Sequence, residues 1–205
     1  ILTSGTTGIP KAVQLTYGNF EASCNNWNEF LQFQPNDQFL CCLPLYHIGG
    51  LAVMLRALMF GFSVNLVSTF EAKLVLGTII KHPVTIISLV PTMLKRILDL
   101  EGGLNALKSL RWILLGGGPS PEYLLDLCIA KKLKIVKVYG MSETCSGTVG
   151  LKLLDEPQKK LYAGRPFPGV KIWTENDELH ISGPMIMKSY VGEPETDGSH
   201  NSHDL

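Results

Sequence analysis

The stretch with the clearest chemical potential covers residues 3–11 and reads Thr-Ser-Gly-Thr-Thr-Gly-Ile-Pro-Lys. Its glycines let backbone N–H groups approach an anion, its hydroxyls add donors, and its lysine adds a positive charge. These features suit a polyphosphate cradle, with candidate ligands Thr3, Ser4, Gly5, Thr6, Thr7, Gly8 and Lys11. The stretch is not a Walker A loop, because Pro10 separates the glycine from the lysine. An ordinary Ser/Thr/Gly loop is the alternative interpretation.

A second candidate site begins at the end of a predicted strand, where residues 139–144 read Tyr-Gly-Met-Ser-Glu-Thr. Ligands of open α/β sheets bind at the carboxyl ends of strands, and the Tyr139 ring there can stack on a purine. Glu143 offers the hard oxygen ligand that a phosphate-bridging magnesium ion requires, and Thr144 offers a hydroxyl. The alternative for Glu143 is a solvated loop carboxylate.

Three further features have simple structural explanations on residue chemistry alone. The run Gly116, Gly117 and Gly118 is typical of a tight strand-to-helix turn. His47 lies near an apolar run, where a packed or capping histidine is more common than a catalyst. Arg56 interrupts the apolar run 51–62, as a snorkelling or surface-paired arginine on an amphipathic helix does.

The composition excludes several classes of protein. The 205 residues contain 18 Lys+Arg and 18 Asp+Glu, so no basic excess exists to neutralise nucleic-acid phosphates. A hydrophobic content of 45% is enough to bury a core, which argues against disorder. The richest apolar run is too short for a membrane span and contains Arg56. Five cysteines without a CxxC pair argue against a disulfide framework and a zinc site, and favour a reducing, cytoplasmic compartment.

The elements that position these residues alternate between short apolar runs and helix-period segments. Strands are predicted at residues 38–43, 63–67, 84–90, 111–115 and 135–139. Phe20, Cys24, Trp27 and Leu31 share one face of a helix that starts near Tyr17. A second helix is expected from Ser120 as N-cap, with Pro121 at its first position. The alternation predicts an α/β fold with doubly wound, mainly parallel sheets.

The pattern of apolar and polar residues changes after about residue 164. Residues 170–173 and 178–182 alternate around a turn at residues 174–177, which predicts a hairpin. We therefore expect an α/β core over residues 1–165 and the start of a β-rich, barrel-like subdomain over residues 166–205. The polar stretch 192–205 shows no element of its own, and the chain opens with Ile1 rather than Met. Both ends are interpreted as truncated, and the oligomeric state is left open.

The motifs together resemble those of the adenylate-forming superfamily, which includes acyl-CoA synthetases, peptide-synthetase adenylation domains and luciferases. The loop 3–11 resembles its phosphate-binding signature, with Ala12 in place of the usual glycine after the lysine. The resemblance implies that the loop and Lys11 hold the ATP phosphates, Glu143 holds Mg²⁺, and the triple glycine with Tyr139 and Gly140 holds the adenine. Lys11, Glu143 and His47 are then the expected catalytic residues, with His47 as the aromatic gate between nucleotide and acyl group.

Within that superfamily, the segments containing His47, Gly117 and Tyr139 look most like those of the o-succinylbenzoate–CoA ligases of menaquinone biosynthesis. Their substrate has one carboxylate that is activated and one spectator carboxylate. The resemblance gives Arg56 an alternative role, because a guanidinium at the lip of an apolar pocket can bind the spectator carboxylate. Further substrate contacts are expected from Gly117, Met141 and Thr92.

The implied reaction is ATP-dependent adenylation of a carboxylic acid, followed by thioester formation with coenzyme A. The family's ribose-binding aspartate, hinge and lid domain with its catalytic lysine are expected outside this chain, so the chain alone should bind nucleotide weakly and catalyse little. Two alternatives stay open: a ligase for another acid (aryl, fatty or amino), or a non-catalytic nucleotide-binding fragment. A generic P-loop NTPase is the weakest alternative, since it requires the Gly-Lys-Ser/Thr sequence.

Overall fold

The computed structural model describes residues 1–3 and 11–202 of the chain. The predicted phosphate ligands Ser4, Gly5, Thr6, Thr7 and Gly8 lie outside these residues. The described strands are β1 (Leu2–Thr3), β2 (Lys11–Gln14), β3 (Gln38–Cys41), β4 (Ser63–Leu66), β5 (Ile86–Leu89), β6 (Trp112–Leu115), β7 (Ile135–Met141), β8 (Ser146–Lys152), β9 (Arg165–Pro166), β10 (Lys171–Glu175), β11 (Glu178–Ser182), β12 (Ser189–Tyr190) and β13 (Ser199–Asn201).

Six α-helices and one 3₁₀ turn connect these strands in the described ranges. They are α1 (Tyr17–Leu31), α2 (Ile48–Phe60), α3 (Ala72–Lys81), α4 (Pro91–Leu98), α5 (Gly103–Ser109), α6 (Glu122–Ala130) and the 3₁₀ turn Pro157–Lys159. In the part of the chain that the structure describes, no helix has the length and apolarity to cross a bilayer.

A seven-stranded sheet lies at the centre, in the order β4-β3-β5-β6-β7-β8-β9. Strands β3 to β7 pair in parallel, and β8 and β9 continue the sheet antiparallel. Neighbouring residues of one strand point to opposite faces. Accordingly, Phe39 and Ile86 pack with α1 and α2 on one face, and Leu40 and Ile87 pack with the remaining helices on the other. The predicted doubly wound, mainly parallel α/β fold is therefore confirmed.

Local capping explains where the first helix begins. Thr16 accepts the backbone N–H of Asn19 at 3.1 Å, and the Asn19 side chain accepts the Thr16 N–H at 2.9 Å. This reciprocal capping box fixes the start of α1. The predicted inner face is confirmed for Cys24, Trp27 and Leu31, which are buried, while Phe20 is half-buried.

The predicted start of α6 is wrong by one residue. Pro121, rather than Ser120, occupies the N-cap position, and no side-chain hydrogen bond caps the helix. The Pro121 carbonyl accepts the N–H groups of Leu124 and Leu125 at 3.0 and 3.2 Å, so the backbone alone begins the helix there.

The C-terminal region forms open antiparallel sheets. The predicted hairpin is confirmed as β10 and β11, with Asn176 and Asp177 both at positive φ, as a two-residue type I′ turn requires. The expectation of no element after residue 192 is wrong, because β13 pairs with the hairpin strand β11. Strand β12 pairs with β2, which also pairs with β1. No barrel closes among the described residues, and the boundary at residues 165 and 166 stays a prediction.

An ion pair between the buried Asp37 and the half-buried Arg111 connects residues at the start of the sheet. Asp37 is 3% exposed and accepts bonds from the Arg111 guanidinium, from Thr85 Oγ1 at 2.7 Å and from the Gln34 N–H at 2.8 Å. Removing one partner of such a group leaves the others buried without their acceptor.

We therefore expect Asp37→Ala to lower the free energy of unfolding by about 3 kcal/mol, measured by urea titration. Asp99→Ala is the matched control, because Asp99 is an exposed partner of Lys95 and should cost less than about 1 kcal/mol. Equal urea midpoints for Asp37→Ala and Asp99→Ala would contradict the stabilising role of the bonds that Asp37 accepts.

Candidate active site

A cavity of about 400 Å³ opens at the carboxyl ends of the parallel strands. Strands β5, β6 and β7 contribute residues from their last positions and the turns that follow, and helices α1 and α2 complete the walls. This is where an open α/β sheet binds ligands. The predicted site residues that line the cavity are His47, Arg56, Gly116, Gly117, Tyr139 and Gly140.

Arg56 forms part of the cavity wall rather than its lip. The residue is 3% exposed, so the alternative of a surface or snorkelling arginine is wrong. Its Nη2 donates to Ser146 Oγ at 2.5 Å, and its guanidinium lies 4.1 Å from the Trp27 ring centroid. The Trp27 Nε1–H donates to the same hydroxyl at 3.1 Å. Trp27 and Ser146 together hold the guanidinium in one orientation.

The charge of Arg56 has no anionic counterpart in residues 1–3 and 11–202. None of the ion pairs there includes it, and its buried Nε has no hydrogen-bond partner. Burial lowers the pKa of the guanidinium to about 10, which still leaves it protonated at neutral pH. A buried cation without a carboxylate is costly unless a ligand supplies the anion.

The hydroxyl that holds Arg56 is presented by an unusual backbone. Cys145 and Ser146 both have positive φ, at 51° and 95°, although neither is glycine. Such conformations cost energy and concentrate at functional sites. Thr144 stabilises this turn, because its hydroxyl accepts the Met141 N–H at 2.9 Å and donates to the Ser146 carbonyl at 2.7 Å. Thr144 is fully buried, so the structure assigns it to the loop itself, and its predicted nucleotide contact stays a prediction.

Glycines allow the close backbone approaches around the cavity. A Cβ on Gly140 would lie 2.1 Å from the Ser146 carbonyl, at the irregularity where β7 and β8 pair. A Cβ on Gly116 would lie 2.6 Å from Val138 Cγ2, and one on Gly147 would lie 2.6 Å from the Trp27 ring. Gly117 has a φ of +74°. The sequence at these positions is therefore fixed by packing as well as by any ligand.

The other predicted substrate residues differ in their exposure and in whether they line the cavity. His47 is exposed, occupies the N-cap of α2 without a side-chain capping bond, and packs its ring against Tyr46. Thr92 is exposed on the first turn of α4, and Met141 is half-buried at the end of β7. Neither is among the described residues that line the cavity, as is also true of Gly118. Their predicted roles stay predictions.

The predicted metal and phosphate residues meet at Tyr190. Glu143 is 8% exposed, and its Oε1 accepts the Tyr190 hydroxyl at 2.8 Å. Lys11 Nζ lies 4.4 Å from the centroid of the same ring and 3.5 Å from a Glu193 carboxylate oxygen. Thr3 pairs with Lys11 across β1 and β2. The structure therefore brings Thr3 and Lys11, from the start of the chain, close to Glu143, which lies far away in the sequence.

The Glu143 carboxylate fits a magnesium ion that is also held by phosphates. Magnesium in such sites uses one or two carboxylates and completes its shell with phosphate oxygens and water. The described residues contain no group of three His, Cys, Asp or Glu side chains that would form an all-protein metal site. One carboxylate ligand, near a lysine that is predicted to bind phosphate, matches the type of site that protein and phosphates share.

Sequence reasoning missed three residues of this arrangement. Trp27 was assigned only to the helix core, Ser146 follows the recognised motif by two residues, and Tyr190 lies in an apparently unrelated β segment. Each contacts a predicted site residue that is distant in the sequence. Trp27 is 29 positions from Arg56, and Tyr190 is 179 positions from Lys11. Hydropathy patterns carry no signal for such contacts.

Comparison with known proteins identifies the family. Residues 1–191 match the family described as AMP-binding enzyme. The chain is 39% identical over 202 residues to a 2-succinylbenzoate–CoA ligase of Oceanobacillus iheyensis, covering 95% of this chain and 42% of that protein. The chain thus spans less than half the length of this curated relative.

Solved structures agree with this match. The o-succinylbenzoate–CoA synthetase of Bacillus subtilis, in complex with its acyl-adenylate intermediate, is 36% identical with a TM-score of 0.90, covering 98% of this chain and 45% of that one. The same enzyme with ATP and magnesium gives a TM-score of 0.89 at 36% identity, covering 98% of this chain and 46% of that one. The chain belongs to the AMP-binding enzyme family.

Proposed function

We propose that this chain is the ATP- and acyl-binding core of an acid–thiol ligase that activates o-succinylbenzoate. In the first half-reaction, a carboxylate oxygen of the acid attacks the α-phosphorus of ATP, and the bond to pyrophosphate breaks. In the second, the thiol sulfur of coenzyme A attacks the acyl carbon, and AMP leaves. The family match and the names of the relatives support this reaction class.

The position of Arg56 is the observation that supports o-succinylbenzoate as the acid. It is a buried cation on the cavity wall, oriented by Ser146 and Trp27, with an unpartnered Nε. An acid with two carboxylates would place one at the reacting phosphate and the other against this guanidinium. A monocarboxylic acid would leave the charge buried without a partner, which disfavours its binding.

The nucleotide side of the site is assigned to residues around Tyr139 and Glu143. Lys11 and the loop preceding it would bind the β- and γ-phosphates, and Tyr139 with Gly116, Gly117 and Gly140 would contact the adenine. Magnesium, held by Glu143 and the phosphates, would neutralise charge that develops on the leaving pyrophosphate. Positioning by these residues would contribute a further part of the acceleration. His47 would separate the nucleotide from the acyl group.

The state of the cysteines supports the proposed cellular location. All five are free and buried, as expected for a protein of a reducing compartment, and we assign the protein to the cytoplasm. Its partners are the small molecules of the reaction. We keep the division into an α/β core over residues 1–165 and a β-rich segment from residue 166 as a proposal.

Carboxylate-dependent ATP–pyrophosphate exchange tests this function. It should be measured on the chain and on a version extended to the length of its relatives, with o-succinylbenzoate, benzoate, a medium-chain fatty acid and several amino acids. We expect exchange with o-succinylbenzoate only, and at least about 100-fold faster in the extended version, because the expected lid supplies groups that stabilise the transition state.

Other outcomes identify the alternatives. Exchange with a different acid would replace the substrate and keep the ligase. The absence of exchange with every acid in both versions would contradict catalysis and favour a non-catalytic nucleotide-binding protein. Equal rates in the two versions would contradict the expected dependence on the additional domain.

A further inference from the structure

Tyr190 lies between the two charged groups that the proposed function assigns to ATP and magnesium. Its hydroxyl donates to Glu143 Oε1 at 2.8 Å, and its ring faces the Lys11 ammonium at 4.4 Å from the centroid. One side chain therefore contacts a predicted metal ligand through its polar end and a predicted phosphate ligand through its face.

The backbone around Tyr190 holds both partners as well. The Met187 N–H donates to the Glu143 carbonyl at 2.8 Å, which fixes the main chain of the metal ligand. On the other side, Tyr190 pairs with Val13, and the Val191 N–H donates to the Ala12 carbonyl at 2.8 Å. The segment 187–191, which contains β12, thus joins the strand of Lys11 to the loop of Glu143 by main-chain bonds. The Tyr190 side chain makes a second connection between the same two residues.

The phenol of Tyr190 is well suited to donate a hydrogen bond to the Glu143 carboxylate. The Tyr190 hydroxyl points its proton at the Glu143 carboxylate, with 2.8 Å between the two oxygens. A hydrogen bond to a carboxylate is stronger than a neutral one and restricts the rotation of that side chain. The ring attracts the ammonium by its quadrupole.

From these contacts we propose that Tyr190 is a positioning residue, which orients the Glu143 carboxylate for magnesium through its hydroxyl and the Lys11 ammonium for phosphate through its ring. This rests on the proposed function, because it assumes that Glu143 and Lys11 face magnesium and ATP. A Tyr190 that merely fills space would serve equally well as phenylalanine, and this difference makes the proposal testable.

Two substitutions separate the two contacts. Tyr190→Phe removes the hydroxyl and keeps the ring, whereas Tyr190→Leu removes both. Binding of ATP to the extended version is measured by calorimetry without any acid substrate, first in EDTA and then across a magnesium titration. Tyr17→Phe is the matched control, because Tyr17 is 95% exposed.

We expect Tyr190→Phe to raise the magnesium concentration for half-maximal enhancement of ATP binding about 10-fold, as loss of an outer-shell partner does. Its ATP affinity in EDTA should stay within about twofold of the unsubstituted protein. Tyr190→Leu should also weaken binding in EDTA, by about threefold, through the lost contact with Lys11. Tyr17→Phe should leave both quantities unchanged.

Each other outcome has a definite meaning. Coincident magnesium titrations for Tyr190→Phe and the unsubstituted protein would overturn the inference while leaving the proposed function intact. Equal losses in EDTA and in magnesium would also overturn it, because they indicate a general loss of structure. An unsubstituted protein that binds ATP without any response to magnesium would overturn both the inference and the magnesium role in the proposed function.

If both Tyr190 variants unfold, the inference can be tested by a spectroscopic measurement that needs no substitution at residue 190. With 3-fluorotyrosine in place of tyrosine, the ¹⁹F resonance of residue 190 should shift when magnesium is added to the ATP complex. The resonance of residue 17 should not shift, and an unchanged signal at residue 190 would overturn the inference.

Discussion

We expect Arg56→Ala to raise KM for o-succinylbenzoate about 100-fold in the extended version of the protein. Truncating one member of a buried, hydrogen-bonded charge pair costs about 2–5 kcal/mol, and each 1.4 kcal/mol is roughly a factor of ten. The second carboxylate of the acid would lose Arg56, the one buried cation among the described residues that line the cavity. Steady-state kinetics with varied acid and saturating ATP measure the effect.

The comparison acid and the control variant make this result specific. A monocarboxylate of similar size should bind the variant at least as well as the unsubstituted protein, because it leaves no charge pair to break. Arg165→Ala is the matched control, since Arg165 is an exposed arginine paired with Glu156. A parallel loss for both acids would contradict the carboxylate role and indicate that Arg56 only supports Trp27 and Ser146.

A second large effect is expected at the metal ligand. Glu143→Gln preserves the shape of the side chain and an oxygen that can accept the Tyr190 hydroxyl, but removes the negative charge that attracts magnesium. We expect the rate of pyrophosphate exchange to fall at least about 100-fold, the loss typical of removing one group that stabilises transition-state charge. The exchange assay at saturating ATP and acid measures it.

If Glu143 holds magnesium, the loss of its negative charge causes the lower rate of exchange. A higher magnesium concentration should partly restore exchange in Glu143→Gln, whereas more acid substrate should not. Glu101→Gln, at an exposed position, provides the control. A Glu143→Gln variant with full activity at ordinary magnesium concentrations would show that another group holds the ion.

The fold could be predicted because its signals are local. The strands around Leu40, Ile87 and Leu114 are buried on both faces, and they appear in the sequence as mainly apolar runs without clean alternation. The hairpin turn was predictable because Asn176 and Asp177 tolerate positive φ. The start of α6 was missed by one residue, since a serine before a proline is a common cap and only the backbone bonds reveal which residue serves.

The site could be predicted only in part, because its remaining contacts are distant in the sequence. Arg56 and Ser146 are 90 positions apart, and Glu143 and Tyr190 are 47 apart. Motif matching identified Arg56 and Glu143 but not the residues that orient them. Nor could it determine that Arg56 is buried, since an apolar run with one arginine is equally typical of a helix at the surface.

The pairing of β12 with β2 has a consequence for how the protein is made. Ser189 bonds to Gln14 across 175 positions of sequence. At ordinary rates of translation, the second strand leaves the ribosome on the order of ten seconds after the first. A nascent chain therefore carries Lys11 and Glu143, the proposed phosphate and magnesium residues, before Tyr190, which contacts both. On the proposed roles of these residues, the contacts that orient them can form only after residue 190 has been synthesised.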